Sequence, residues 1–410
     1  MIKYYQNYTK LARRYTNQLS SLSDISRPTF EVTKDLLGKT FVRRHPHPQP
    51  RGTLRPQKLP LLRPAIVLLL LGWAYFLYNN LTFNPSPEMI PRDVIAQQIP
   101  HVLTGTNFTN LGTRYEGKVR DNYTQGQRRI LITSDRLSAF DRIIANIPFK
   151  GQVLNAMTQF WFENTKDICP NYIESYPDPQ VIVGKECKPI MVEMIVRGYI
   201  TGSTSTSAWT VYAKGGRNIG GNVLPEGLKK NQRLPMPIIT PTSKAAHGDH
   251  DANLTPAQIL EQGLLTAEQW EKLSSYALML YARGVEVAAR QGVILVDTKY
   301  EFGFTPEGEI VVIDEIHTPD SSRFWIAATY EERLAQGQEP QNINKEFLRL
   351  WLADHGYTGE GEIPAIPKEI ICETTEKYIQ AYEMITGKTF EAQPGDVLSR
   401  IEKNLTLYFI

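Results

Sequence analysis

The chain has 410 residues, of which 41% are hydrophobic and 21% charged, which excludes a disordered protein and allows two or three domains with their own cores. Its formal net charge of +2 is unevenly spread: residues 1–64 hold 13 Lys+Arg against 3 Asp+Glu, so the remainder holds 32 and 40 of the chain's 45 and 43, a net of −8. An acidic body excludes nucleic acid as its principal partner, and three cysteines (Cys169, Cys187, Cys372) without a CxxC pair exclude a disulfide framework or a zinc site.

Residues 1–64 are basic, Pro-punctuated and without period, and are predicted to be disordered. Residues 65–88 open with the apolar run Ala65 to Tyr78. Extended to Phe83 it reaches the roughly 20 residues that a bilayer requires. Three readings stand: a membrane association through 65–83, an acidic-poor targeting segment, or upstream sequence ahead of a start at Met89. From Met89 the pattern is globular. Gly112 and Gly117-Lys118 approach a phosphate-binding GxxxxGK, but Val119 replaces its Ser/Thr and a strand follows where a helix belongs. A glycine-bearing hairpin that lays Lys118 and Arg120 over phosphates is the better reading.

Val153 to Asn164 has helical spacing. Ile190 to Gly198 reads as a buried strand carrying Glu193 and Arg197, charges that burial does not tolerate unpaired. It runs into the hydroxyl-rich loop Tyr199 to Ser207, able to bind an anion. Polar loops follow at Thr240–Lys244 and Gly248–Asp251, where His250, a lone histidine, reads as structural. Glu268 to Arg290 is predicted as an amphipathic helix, and Lys368 to Thr386 as the chief helix of the tail.

Between these helices, Val293 to Gly303 and Ile310 to Asp314 are β-branched runs around Thr305-Pro-Glu-Gly308, which predicts a hairpin. Alternation along the first strand sets Asp297, Lys299 and Glu301 on one face. With Glu307-Gly308 as a two-residue turn, Glu301 lies opposite Asp314, and the two carboxylates could share one Mg²⁺ that keeps positions open for phosphate oxygens. The loop Thr318-Pro-Asp320-Ser-Ser322-Arg323 is dense in anion-binding groups. A solvated face with a cross-strand ion pair is the plainer alternative.

Five stretches together resemble the SAICAR synthetase (phosphoribosylaminoimidazole-succinocarboxamide synthase) family: Gly117–Asp121, Ser134–Asp141, Val196–Ser203, Asp297–Gly303 and Asp314–Trp325. The resemblance implies a ligase of purine biosynthesis that joins L-aspartate to carboxyaminoimidazole ribonucleotide at the expense of ATP. It implies an α+β fold: an antiparallel-sheet N-lobe over 89–190, an ATP-grasp-like lobe over 191–335, and C-terminal helices over 336–410 packed on that second lobe. It further implies ATP contacts from Lys118, Arg120, Lys244 and Glu193, and Mg²⁺ on Glu301 and Asp314. Ribonucleotide contacts would come from Arg197, Ser203, Asp320, Ser322 and Arg323, with Asp297 and Lys299 positioning the reacting groups. A cytoplasmic catalytic body is the matching expectation. A kinase would use similar parts, but no His-Arg-Asp or Asp-Phe-Gly occurs. A nucleotide-binding scaffold would not need the intact set Lys118, Glu301 and Asp314.

Overall fold

The computed structural model describes residues 90–140, 142–204, 206–244, 252–343 and 346–409. The segments 1–64 and 65–88, Met89, and the Gly248–Asp251 loop with His250 lie outside them. Among the described residues no helix is long and apolar enough to cross a membrane.

Helix α1 (Arg92–Gln98) precedes β1 (Thr113–Glu116), β2 (Arg120–Gln125) and β3 (Arg128–Thr133). A two-stranded ribbon, β4 (Arg136–Ala139) with β5 (Arg142–Asn146), leads to α2 (Lys150–Thr165), then β6 (Ile173–Asp178) and β7 (Val181–Lys185). The first sheet has the order β1-β2-β3-β7-β6, with every neighbouring pair antiparallel. Alternation explains why the middle of β3 is apolar on both faces: Ile130 and Ile132 enter one cluster, Leu131 the other. The near-P-loop is a hairpin, as its residues suggested, since β1 and β2 pair directly and the Gly117 amide donates to the Arg120 carbonyl at 2.7 Å. Arg136 clasps its turn, donating to the carbonyls of Thr104, Gly117 and Lys118 at 2.8, 2.9 and 3.1 Å.

The second sheet starts at β8 (Lys188–Pro189) and β9 (Val192–Tyr199). After α3 (Ala208–Ala213) and a small ribbon, β10 (Asn218–Ile219) with β11 (Asn222–Val223), come β12 (Arg233–Ile239) and β13 (Thr242–Ser243). Helices α4 (Pro256–Glu261) and α5 (Ala267–Arg290) lead to β14 (Val293–Phe304), β15 (Ile310–Ile313) and β16 (Ser322–Ile326). β14 is its hub, pairing antiparallel with β8, β9, β15 and β16, while β9 also pairs with β12 and β13. Helix α5 covers β14 with Leu273, Ala277, Leu280, Tyr281 and Ala288, all buried. Thr266 and Gln269 close a capping box at its start. Gly284 permits the approach, because a Cβ there would lie 2.6 Å from Leu295 Cδ2 and 2.7 Å from His317 Cε1.

Among the described residues four further helices follow: α6 (Ala327–Ala335), α7 (Glu346–Asp354), α8 (Lys368–Thr386) and α9 (Val397–Tyr408). The expectation that the C-terminal helices all pack on the second lobe is corrected for α9. Its Val397, Ile401 and Leu405 share a core cluster with Tyr123, Ile130, Ile132, Val181 and Val183 of the first sheet. The reason lies in β3 and β7, which are apolar on both faces and need a cover on each. α8 meets the expectation only in part, since it packs against α1 and α2 of the 89–190 segment as well as against α5.

Candidate active site

Strand β14 presents Asp297, Lys299 and Glu301 on one face, while Thr298, Tyr300 and Phe302 face the other way. In register, Asp297 stands beside Arg197 of β9 on one side and Arg323 of β16 on the other. Its Oδ2 accepts from Arg197 Nη1 at 3.2 Å and from Arg323 Nη1. Arg197 Nε donates to Thr240 Oγ1 at 2.8 Å. Burial lowers the Arg197 pKa despite Asp297, and the nearby Arg323 lowers it further. One carboxylate between two guanidinium forks leaves positive charge over, which suits a phosphate or carboxylate ligand.

Two residues along the same face, Lys299 Nζ lies 2.7 Å from Glu193 Oε1 and 2.6 Å from Glu301 Oε1. Glu301 Oε2 meets Lys244, and Glu193 Oε2 accepts from Thr242 Oγ1 at 3.1 Å. Burial works against charge on Lys299, but Glu301 and Glu193 outweigh it and raise the pKa above its ordinary value. Burial likewise works to raise Glu301, but Lys299 and Lys244 bring it down to about 2. At neutral pH the pair is therefore a fixed cation and a fixed anion, so Lys299 is unsuited to act as a base.

The carboxylates do not meet as the two-residue turn predicted. Thr305 to Glu309 form a five-residue connection, with Thr305 N donating to Glu309 O and Gly308 N to Thr305 O, both at 2.9 Å. The register moves by one, and Glu301 pairs with Ile313 instead of Asp314. Asp314 leaves the strand with φ +61° and meets Arg120 Nη1, whose Nη2 lies 2.5 Å from Glu315 Oε2. Burial opposes the Arg120 charge, yet Asp314 and Glu315 raise its pKa. Burial raises that of Glu315, with Arg120 pulling the other way. Asp314 still acts electrostatically on Lys299, so the two ends of the site adjoin. Among the described residues no three His, Cys, Asp or Glu side chains gather as a metal cage. Magnesium does not require one: it takes one or two carboxylates and completes its shell with phosphate oxygens and water. Glu301 and Asp314 are donors of that type, but Lys299 and Lys244 hold both Glu301 oxygens and Arg120 holds Asp314, so these cations would have to yield to the ion.

The other predicted residues are dispersed. Lys118 is exposed at the β1–β2 turn, and Ser203 is exposed in the loop before α3. Ser322 turns to the opposite face of the sheet, where its hydroxyl donates to Thr298 Oγ1 at 2.8 Å. Asp320 faces inward: Oδ2 lies 2.9 Å from Lys150 Nζ, and Oδ1 accepts from Tyr378 Oη at 2.7 Å. Sequence reasoning missed Lys150 and Tyr378. The signal for Lys150 was available in part, since a lysine opening a helix with the apolar positions Val153, Leu154, Met157, Phe160 and Trp161 has to find a carboxylate if that end is buried.

A family model described as SAICAR synthetase matches residues 113–365. The phosphoribosylaminoimidazole-succinocarboxamide synthase of Legionella pneumophila (strain Lens) is 52% identical over 310 residues, covering 75% of this chain and 98% of that protein. The chloroplastic enzyme of that name from Arabidopsis thaliana is 50% identical over 330 residues, covering 79% of each. Among solved structures, SAICAR-synthase from Saccharomyces cerevisiae complexed with SAICAR aligns at TM-score 0.62 and 33% identity over 71% of this chain and 100% of that one. A type-2 SAICAR synthetase in complex with ADP shares the fold at TM-score 0.52 and 24% identity, covering 68% of this chain and 100% of that one.

Proposed function

This chain belongs to the SAICAR synthetase family, ligases of purine biosynthesis, and from that premise we propose that it joins L-aspartate to carboxyaminoimidazole ribonucleotide with consumption of ATP. The observation that carries the reading is the charged face of β14, which offers separate stations for two anionic substrates within one strand's length. The Arg197–Asp297–Arg323 cluster receives the ribonucleotide, with Arg323 taking its phosphate and Ser203 on the adjoining loop. Lys118, Arg120 and Lys244 receive the ATP phosphates, and Glu193 fixes Lys299 beside them. Glu301 and Asp314 would hold Mg²⁺, which when bound offsets charge on the transferring phosphoryl group.

Within that frame the chain's own groups position and neutralise. The substrate carboxylate takes the phosphoryl group to give an acyl phosphate and ADP. The aspartate amine then attacks the acyl carbon, the C–N bond forms, and phosphate leaves. Lys299, kept protonated by Glu301 and Glu193, stabilises oxyanions along this path and does not remove the amine proton. Asp297 keeps both guanidinium groups turned toward one ligand position. In this reading the sheet backed by α5 is an ATP-grasp-like second lobe, and the nucleotide would bind between it and the first sheet. The reading places residues 1–88 outside the chemistry and the reaction in the aqueous cell interior.

The test is ADP release with carboxyaminoimidazole ribonucleotide, with and without L-aspartate. Release that requires all three substrates supports the ligase. ADP release indifferent to aspartate, or phosphate appearing on a hydroxyl, would favour a kinase instead.

A further inference from the structure

We propose that Lys150 is a positioning residue which, through Asp320, sets the end of the loop that presents Arg323 to the ribonucleotide; the proposal rests on the ligase reading above. Lys150 has no solvent exposure; its Nζ lies 2.9 Å from Asp320 Oδ2 and 5.6 Å from the Tyr378 ring centroid but makes no hydrogen bond of regular geometry, so the ion pair with Asp320 is what answers its charge. An ammonium taken wholly out of water is costly unless paired, so this contact holds both of its ends in place. Asp320 is fixed from its other oxygen by Tyr378.

The loop needs such anchors. It contains two non-glycine residues in the left-handed region, Asp314 (φ +61°) and His317 (φ +53°), a conformation that persists only where the surroundings impose it. Two cations hold it from two elements. Arg120 of β2 takes Asp314 and Glu315 at the entry, and Lys150 of α2 takes Asp320 at the exit, three residues before Arg323. The start of α2 is itself pinned. Gly151 N donates to Asp135 Oδ1 at 2.9 Å, and a Cβ on Gly151 would fall 2.4 Å from the Thr133 carbonyl oxygen. Lys150 therefore transmits the position of a rigid helix end to the residue that recognises phosphate. The division of anchors assigns the exit to the ribonucleotide and the entry to ATP.

The test measures binding of carboxyaminoimidazole ribonucleotide and, separately, of ATP to the full chain by calorimetry, with steady-state kinetics alongside. Lys150→Met keeps the volume and removes the charge. It should weaken ribonucleotide binding and raise its KM by roughly tenfold or more, with ATP changed less than about twofold. Tyr378→Phe keeps packing and charge, and should shift ribonucleotide binding in the same direction by a smaller factor. That second variant keeps the test alive should Lys150→Met fail to fold. Unchanged ribonucleotide affinity in Tyr378→Phe and in a folded Lys150→Met overturns the proposal, as does an equal loss for both substrates. A wild-type chain without aspartate-dependent ADP release would overturn the ligase reading instead, which separates the two failures.

Discussion

His317 has no solvent exposure, and its Nε2 sits 2.5 Å from Tyr300 Oη while its ring meets Trp161 edge-on at 4.5 Å. Burial lowers its pKa to about 3. The native ring is therefore neutral below pH 6.5, where the unfolded chain takes up a proton, so this residue's contribution to stability is complete above 6.5 and is lost as pH falls toward 3. His317→Asn, which tolerates the left-handed backbone, should be less stable at pH 7.5. The gap to wild type should narrow below pH 6.5 by up to about 1.4 kcal/mol per unit. Denaturant midpoints at pH 7.5 and 5 check this, and a constant gap would show that His317 titration is uncoupled from folding. Arg323→Lys keeps the charge at Asp297 but loses the planar fork, so KM for the ribonucleotide should rise roughly tenfold with that for ATP nearly unchanged. Initial rates with each substrate varied in turn decide it. At this scale alternation made Asp297, Lys299 and Glu301 legible as one face. The same rule, applied to the neighbours Ser322 and Arg323, would have sent them to opposite faces. Lys150 stayed hidden because a buried charge is defined by its partner, which lies 170 positions away.

Among the elements, α5 and α8 were readable because their apolar spacing is long and regular, and α8 spans the predicted Lys368–Thr386. The β14–β15 hairpin was readable as a hairpin but not in register. Gly308 supports several turn lengths, and the choice depends on the Thr305–Glu309 backbone bond, which side-chain pattern does not report. The close approach of α5 to β14 at Gly284 gives a direct test. Alanine is the better helix former, yet its methyl would press on Leu295 and His317. Overpacking should dominate, so Gly284→Ala should cost about 1–3 kcal/mol. The thermal midpoint should fall by roughly 2–4 °C per kcal/mol. A midpoint at or above that of wild type would show that the helix can move outward at no cost.

Over the whole molecule, residues with assigned roles lie from Lys118 to Tyr378, all beyond the basic extension. A chain beginning at Met89 should therefore fold and keep its kcat/KM, and aggregation or loss of activity in detergent-free buffer would tie residues 1–88 to the body. The other end behaves differently. Gln98 and Gly395 exchange hydrogen bonds of 2.9 and 2.7 Å across 297 positions, and α9 covers the first sheet. Ile401→Ala should lower stability by about 2–4 kcal/mol, measurable by chemical denaturation, although no substrate is near it. A loss below about 0.5 kcal/mol would show that α9 is a surface ornament. This closure has a consequence during synthesis. The sheet strands are complete at Lys185, but their cover is not made until Val397 and beyond, more than 200 residues later. At about 5–20 residues per second, a nascent chain carries that face, covered only by Leu103, Phe108 and Leu111, for roughly 10–40 s. The first sheet of the fold is thus sealed only after the second sheet has been made.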